Sequence, residues 1–238
     1  MNSSGDDAFP STHWSLISGA RDRGSSRCRE SLEELARRYW RPVYAFVRRK
    51  WTLPHEDAKD VTQEFFAALC EKDMLDRLAP EHGKFRSFLM AVLDHFVVSK
   101  HRRESRLKRG GGVRVVPLDI EKGFEPAGDG SPEEIFQIEW ARSVLAEALR
   151  RLEIERRGSK TLPAYEILRL RDVDKPPGED VSYKALAKRF GIAETQVTNI
   201  LHEGRRRLRE LVLELIRETV ASEREAESEM KDLFGRRT

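Results

Sequence analysis

Between residues 85 and 97, Phe85, Phe88, Leu89, Val92, Leu93, Phe96 and Val97 recur at i, i+3, i+4, i+7, i+8, i+11 and i+12. Only a helix brings all seven onto one stripe, and a stripe that wide must be covered by other elements. The same period returns along the chain. Leu32, Leu35, Tyr39, Val43 and Phe46 share a face within 29–50, and Ala58, Phe65 and Leu69 share one within 55–71. Strand-type alternation is nearly absent. The expected fold class is all-α.

Helical periods are expected at 13–22, 29–50 (with a kink at Pro42), 55–71 and from 85 onward. Others are expected at 133–156, 162–171, 182–190 and 193–220. Between them, residues 110–132 hold glycines at 110, 111, 112, 123, 128 and 130 and prolines at 117, 126 and 132, with no period. Such a composition suits a flexible linker. The expected organisation is therefore a helical domain over 1–109, a linker over 110–132 and a second small helical domain over 133–221. The highly charged 222–238 stretch reads as a fraying helix or tail.

Net charge is only +3 over 238 residues, so the distribution matters more than the sum. Residues 100–114 carry seven Lys/Arg against one Glu, and residues 182–209 carry seven against two acids. Residues 56–76 reverse this, with seven Asp/Glu against two Lys. Two basic runs and a separate acidic one suit a nucleic-acid binder that also docks on a basic protein partner. Within the acidic run, Asp57, Asp60 and Glu64 fall on one helix face, at about 100° per residue, roughly a third of a turn from the apolar stripe. Thr62 falls on the apolar side with Ala58, Phe65 and Leu69, which favours a packed Thr over a phosphorylation switch.

Cys28 and Cys70 are too few for a disulfide scaffold or a metal cluster. Histidines 13, 55, 82, 95, 101 and 202 show no metal-ligand spacing, and no phosphate-cradling glycine motif or catalytic constellation stands out. The expectation is a non-enzymatic protein without metal or cofactor. The polar start "MNSSGDDAFP" reads as no signal peptide, and no apolar run reaches membrane-spanning length, so a soluble, cytoplasmic protein without membrane insertion is expected.

The stretch "SYKALAKRFGIAETQVTNILHEGRRRLREL", 182–211, carries the most specific local pattern. Ala187 is small where two helices would cross, Gly191 suits a left-handed turn, and Ile192, Val197 and Ile200 would anchor the second helix on the first. This is helix-turn-helix spacing. Thr195, Gln196, Thr198 and Asn199 lie near the start of the second helix and suit base edges, whereas Arg205, Arg206, Arg207 and Arg209 suit phosphates.

Four segments in order resemble the small two-domain sigma factors of bacterial RNA polymerase, the extracytoplasmic-function (ECF) group of the sigma-70 family. "RRYWRPVYAFVRR" resembles the first helix typical of the family, and "EDAKDVTQEFFAAL" its polymerase-docking helix. "GKFRSFLMAVLDHFVVSKHRRESRLKRGG" resembles the promoter-melting helix, and 182–211 the domain that reads the upstream promoter element. The resemblance spans about residues 10–220. It implies core docking through Asp57, Asp60, Gln63 and Glu64, and −10 promoter contact through Lys84, Arg86, His95, Lys100, Arg102 and Arg103. It implies −35 contact through Thr195, Gln196, Thr198, Asn199, His202, Arg205 and Arg206. Expected partners are RNA polymerase core and promoter DNA; an anti-sigma protein or a regulatory kinase stays open as a further partner.

The chain departs from the family pattern in places. Asp94-His95 stands where an Arg-Asn pair is frequent, Ala193 where a Ser or Thr would cap the second helix, and Glu203-Gly204 where a basic residue and Ala are expected. The competing readings are a helix-turn-helix regulator that does not join the polymerase and a DNA recombinase. The first leaves the acidic stripe and the melting-helix motif unexplained. The second needs a sheet-containing N-terminal domain, which the helical period of 13–109 argues against.

Overall fold

The computed structural model describes residues 15–22, 25–71, 74–75, 84–106, 126, 130–157 and 162–235. Apart from 126 and 130–132, the linker expected at 110–132 lies outside them. All regular structure among the described residues is helical, in line with the expected class. The helices are α1 (Ser15–Arg21), α2 (Ser26–Lys50), α3 (His55–Glu71), α4 (Phe85–Arg106), α5 (Pro132–Arg157), α6 (Leu162–Leu168), α7 (Tyr183–Phe190), α8 (Glu194–Arg217) and α9 (Glu223–Phe234). Pro42 does not interrupt α2. The helix expected at 162–171 ends sooner as α-helix and continues as a wider π-helical turn, Arg169–Asp174.

The chain forms two compact units. One holds residues up to Ser143 together with 216–238, and the other runs from Val144 to Leu215. These limits differ from those expected, which assigned all of 133–221 to one domain. The reason lies in α5. Its Phe136 ring meets Phe46 of α2 edge-on at 6.2 Å, and its Trp140 stacks on Tyr39 of α2 at 6.1 Å, so the first part of α5 belongs to the first core.

The predicted stripe of α4 packs as expected. Phe85, Leu89, Leu93 and Val97 are buried, and Phe85 meets Tyr39 edge-on at 5.1 Å. On α3, Ala58, Phe65 and Leu69 are buried with Thr62, whose hydroxyl donates to the Ala58 carbonyl at 2.7 Å. A hydroxyl so placed is a packed side chain bonded back to its own helix.

The 222–238 stretch differs from the tail reading, because most of it is a docked helix. Ser222 caps α9 by accepting from the Glu225 amide, and Ala226 and Glu229 are buried. The Ala226 and Glu229 spacing, i and i+3, gives α9 a narrow inward face that its charge density masks in the sequence.

In the second unit, Ser182 caps α7 by accepting from the Ala185 amide, and Gly191 ends it at φ +65°. The Gly191 amide donates to the Ala187 carbonyl, so the turn closes on the last helical residues. Leu186 and Ala187 of α7 and Val197 and Leu201 of α8 are buried. Gly204 has a packing reason too. A Cβ there would lie 3.3 Å from the Leu168 side chain, so the bare backbone of α8 lets Leu168 approach.

At Gly191 an added Cβ meets nothing within 4 Å, so only backbone conformation opposes a side chain. Gly191→Val should cost about 1–2 kcal/mol, the left-handed penalty of a branched residue, and Gly191→Asn clearly less. Native-state hydrogen exchange of α7 and α8 amides measures both; equal loss in the two variants would contradict this account.

Candidate nucleic-acid interface

The acidic stripe lies on the outer side of α3. Asp57, Asp60 and Glu64 are exposed and Gln63 is partly so, because Ala58, Val61, Thr62, Phe65 and Leu69 take the inward positions. Glu64 is paired within the same unit: its carboxylate lies 2.5 Å from the Lys100 ammonium of α4. Two residues expected at different sites thus contact each other. Lys50 of α2 makes a comparable pair with Asp94 of α4 at 2.6 Å, so Asp94, which stands in the departing Asp94-His95 pair, ties α4 to α2.

The residues expected at the −10 element divide into two groups along α4. His95 and Arg102 are exposed, and Lys100 is partly so. Arg103 lies in α4, but its side chain is outside the described residues. Lys84, just before α4, and Arg86, in its first turn, lie under α9. The Lys84 ammonium is 2.6 Å from Glu229 and 2.5 Å from Asp232. The Arg86 guanidinium is 2.6 Å from Glu229 and 3.3 Å from Asp232, and it lies over the Trp140 ring of α5 at 5.7 Å from the ring centre. Arg86 is only 6 % exposed and Glu229 only 1 %. Burial pushes the Glu229 carboxyl above the usual carboxylate range, against the opposing pull of Arg86 and Lys84.

The third group sits on α8. Thr195, Gln196, Thr198, Asn199 and His202 are exposed, while Val197 and Leu201 turn into the core. Gln196 does more than face outward. Its Oε1 accepts from the Ala193 amide at 2.9 Å, which is half of a capping box built without a Ser or Thr. That leaves the Gln196 amide nitrogen as its outward donor. Thr198 donates to the Glu194 carbonyl at 3.1 Å.

The arginine run is far less bare than its sequence suggests. Arg205 forks onto Asp172 at 2.7 and 2.9 Å. Arg206 pairs with Glu203 and Glu210, and Arg207 with Glu155, Glu210 and Glu214. The hydrogen bonds they donate to these carboxylates raise the pKa of Arg205, Arg206 and Arg207 above the ordinary arginine value. The sequence reading set the basic runs apart from acids; in the fold, the 205–207 run has acidic partners on α5, in the π-helical turn and along α8 itself.

Sequence reasoning missed Glu229 and Asp232 as partners of the expected DNA-contacting cations. Their i, i+3 spacing in α9 was the available signal, hidden in a segment where most residues are charged.

With this geometry in hand, the comparisons are specific. The family description "Sigma-70 region 2" matches residues 35–107, which hold most of α2 and all of α3 and α4. Residues 35–107 thus carry the region 2 pattern of the sigma-70 family. It is 26 % identical over 199 residues to the ECF RNA polymerase sigma factor SigE of Mycolicibacterium smegmatis, covering 84 % of this chain and 68 % of that one. No solved structure matches. The region 2 match encloses both the acidic stripe and every residue expected at the −10 element, all within the first unit. Among the described residues no helix is long and apolar enough to cross a membrane.

The half-formed cap makes a direct prediction. Ala193→Ser supplies the missing hydroxyl of the capping box and should stabilise α8 by about 0.5–1 kcal/mol. Hydrogen exchange at the first α8 amides is the measurement, and no added protection in the variant would refute the box.

Proposed function

We propose that this chain is a sigma factor of the sigma-70 family that directs transcription initiation with RNA polymerase, docks on polymerase core through the α3 stripe of its first unit and contacts promoter DNA through both units. The observation that carries the reading is the region 2 match over 35–107, which spans the acidic stripe of α3 and the basic end of α4 together. On this reading Asp57, Asp60, Gln63 and Glu64 face a basic surface of the core enzyme. Charges placed at an interface rim set encounter rate and orientation more than depth of affinity.

Lys84, Arg86, His95, Lys100, Arg102 and Arg103 would track the −10 region. Promoter opening needs a cationic path for the freed strand backbone, and a helix ending in several Lys and Arg supplies one. The Glu64–Lys100 pair links this path to the core-facing stripe, so core binding that draws Glu64 away would release Lys100 toward DNA.

In the second unit, α8 would enter the major groove at the −35 element. Thr195, Gln196, Thr198, Asn199 and His202 form its exposed face, with Arg205 and Arg206 toward phosphates. The pairs these arginines make with Asp172, Glu203 and Glu210 hold the guanidinium groups in place before DNA arrives; each must be exchanged for a phosphate. The region 2 match and the acidic stripe of α3 favour this reading over a regulator that does not join the polymerase.

Co-purification with core polymerase tests the assignment. Asp60→Lys with Glu64→Lys should weaken core binding by about 1–2 kcal/mol, and more at low salt, without loss of helix content. Unchanged affinity would remove the stripe from the interface. On the DNA side, Asn199→Ala should cost about 1–3 kcal/mol at one promoter position only. Arg206→Ala should weaken all promoters alike and flatten the salt dependence. Identical behaviour of the two variants across promoter sequences would show that α8 does not read bases.

A further inference from the structure

α9 has no place in the functions assigned above, yet it lies against two cations of the first unit. Its Glu229 is buried against Lys84 and Arg86, and its Asp232 lies within ion-pair distance of the same two side chains. Ser228, the residue before Glu229, reaches the Lys84 ammonium at 3.5 Å. All the carboxylates that pair with Lys84 and Arg86 in these contacts come from α9.

We infer that α9 is an internal occupant of the promoter-contacting surface: its Glu229 and Asp232 carboxylates sit on Lys84 and Arg86 where nucleic-acid phosphates would, and α9 must leave before those two cations can hold DNA. The inference rests on the reading of Lys84 and Arg86 as promoter contacts.

The chemistry favours an exchangeable occupant over a permanent one. A buried ion pair returns in Coulomb energy little more than its desolvation takes away, so it fixes position without adding much stability. The upward direction of the Glu229 pKa agrees, since burial outweighs the two cations there. The rest of the inward face is small: Ala226 is buried beside Glu229, and Met230, Asp232, Leu233 and Phe234 are only partly covered. A strand of nucleic acid offers the same cations phosphates with counterions to release, and can displace such a helix. α9 also follows α8 after only the short segment 218–222, so the competitor is always at hand.

The experiment uses the full chain and a labelled single-stranded DNA oligonucleotide of mixed sequence, with affinity read by fluorescence anisotropy across a salt series. Ser228→Pro breaks α9 in its interior while leaving every charge in the chain unchanged, so a gain in affinity cannot come from altered net charge. It should bind about fivefold tighter at low salt, the share of the chain held closed by α9 being released. In the unaltered protein salt also weakens the α9 ion pairs and so opens the site, which offsets part of the loss of affinity; Ser228→Pro lacks that offset, and its salt slope should steepen by up to about 1.4, the weight of two phosphate contacts at about 0.7 each on single strands. Asp232→Asn, at a partly exposed position, should shift both readouts the same way by a smaller amount. In the unaltered protein, saturating DNA should abolish hydrogen-exchange protection of the α9 amides, Glu223 to Phe234.

Unchanged affinity and slope in Ser228→Pro, or α9 amides that stay protected at saturating DNA, overturn the inference. A Lys84→Ala change added to Ser228→Pro separates the two layers. If it lowers affinity although Ser228→Pro alone raised nothing, Lys84 contacts DNA and α9 is merely structural. If it leaves both affinity and slope unchanged, Lys84 is not a DNA contact, and the functional reading of that residue falls with the inference.

Discussion

The first unit is built around the ring of Tyr39. It is 1 % exposed, with Phe85 of α4 edge-on at 5.1 Å and Trp140 of α5 stacked at 6.1 Å. One aromatic side chain of α2 thereby fixes the start of α4 and the first part of α5. Aromatic pairs of this kind add about 0.5–1.5 kcal/mol each beyond the area they bury. The functional consequence is positional. Lys84 and Arg86 flank Phe85, so the same contact that anchors the α4 start sets where those two cations stand. Burial also pushes the Tyr39 phenol far above its usual range, which keeps it a neutral member of the core.

Charge in this chain is organised by pairing more than by patch. Seven Lys/Arg in 182–209 read as a bare cationic surface, yet Arg205, Arg206 and Arg207 each have carboxylate partners in the second unit. Exposed pairs contribute roughly 0–1 kcal/mol each, so their weight lies in orientation. A guanidinium held in a fork by Asp172 has already given up much of its rotamer freedom, and its transfer to a phosphate oxygen loses less entropy than ordering a free side chain would. Arg38 of the first unit shows the structural extreme. It is 8 % exposed and bridges Glu34 and Glu218, tying α2 to the segment that follows α8.

How much of this could be read beforehand follows from what periodicity encodes. The α4 stripe was readable because Phe85, Leu89, Leu93 and Val97 are apolar, large and evenly spaced. The α7–α8 turn was readable because Gly191 alone among its neighbours adopts a positive φ cheaply. Thr62 was placed by its helical angle and is buried as that angle requires. The unit limits were not readable, since α5 and α8 each run without a break through the limits of the two units. A composition shift marks a change of chain character, whereas core membership is decided by where Phe136 and Trp140 find partners. The Gln196 cap was missed for a related reason: the expected capping residue, Ala193, has no side-chain oxygen, and the remaining half of the box comes from a residue read as a base contact.

α9 was the hardest element to foresee, and the difficulty is physical. A helix docked through apolar residues announces itself as a stripe, whereas one docked through Glu229 and Ala226 has too little apolar area to show a period. The same poverty limits how firmly it can be held. Replacing Glu229 and Arg86 by matched apolar side chains would be expected to hold such a helix more tightly, because no desolvation cost would oppose the contact. Carboxylates there make the contact dependent on an exposed competitor of the same charge sign and on ionic strength, as an apolar contact would not be. The surface proposed to meet nucleic acid is thus covered, in the folded chain, by carboxylates of the same charge sign and lower charge density.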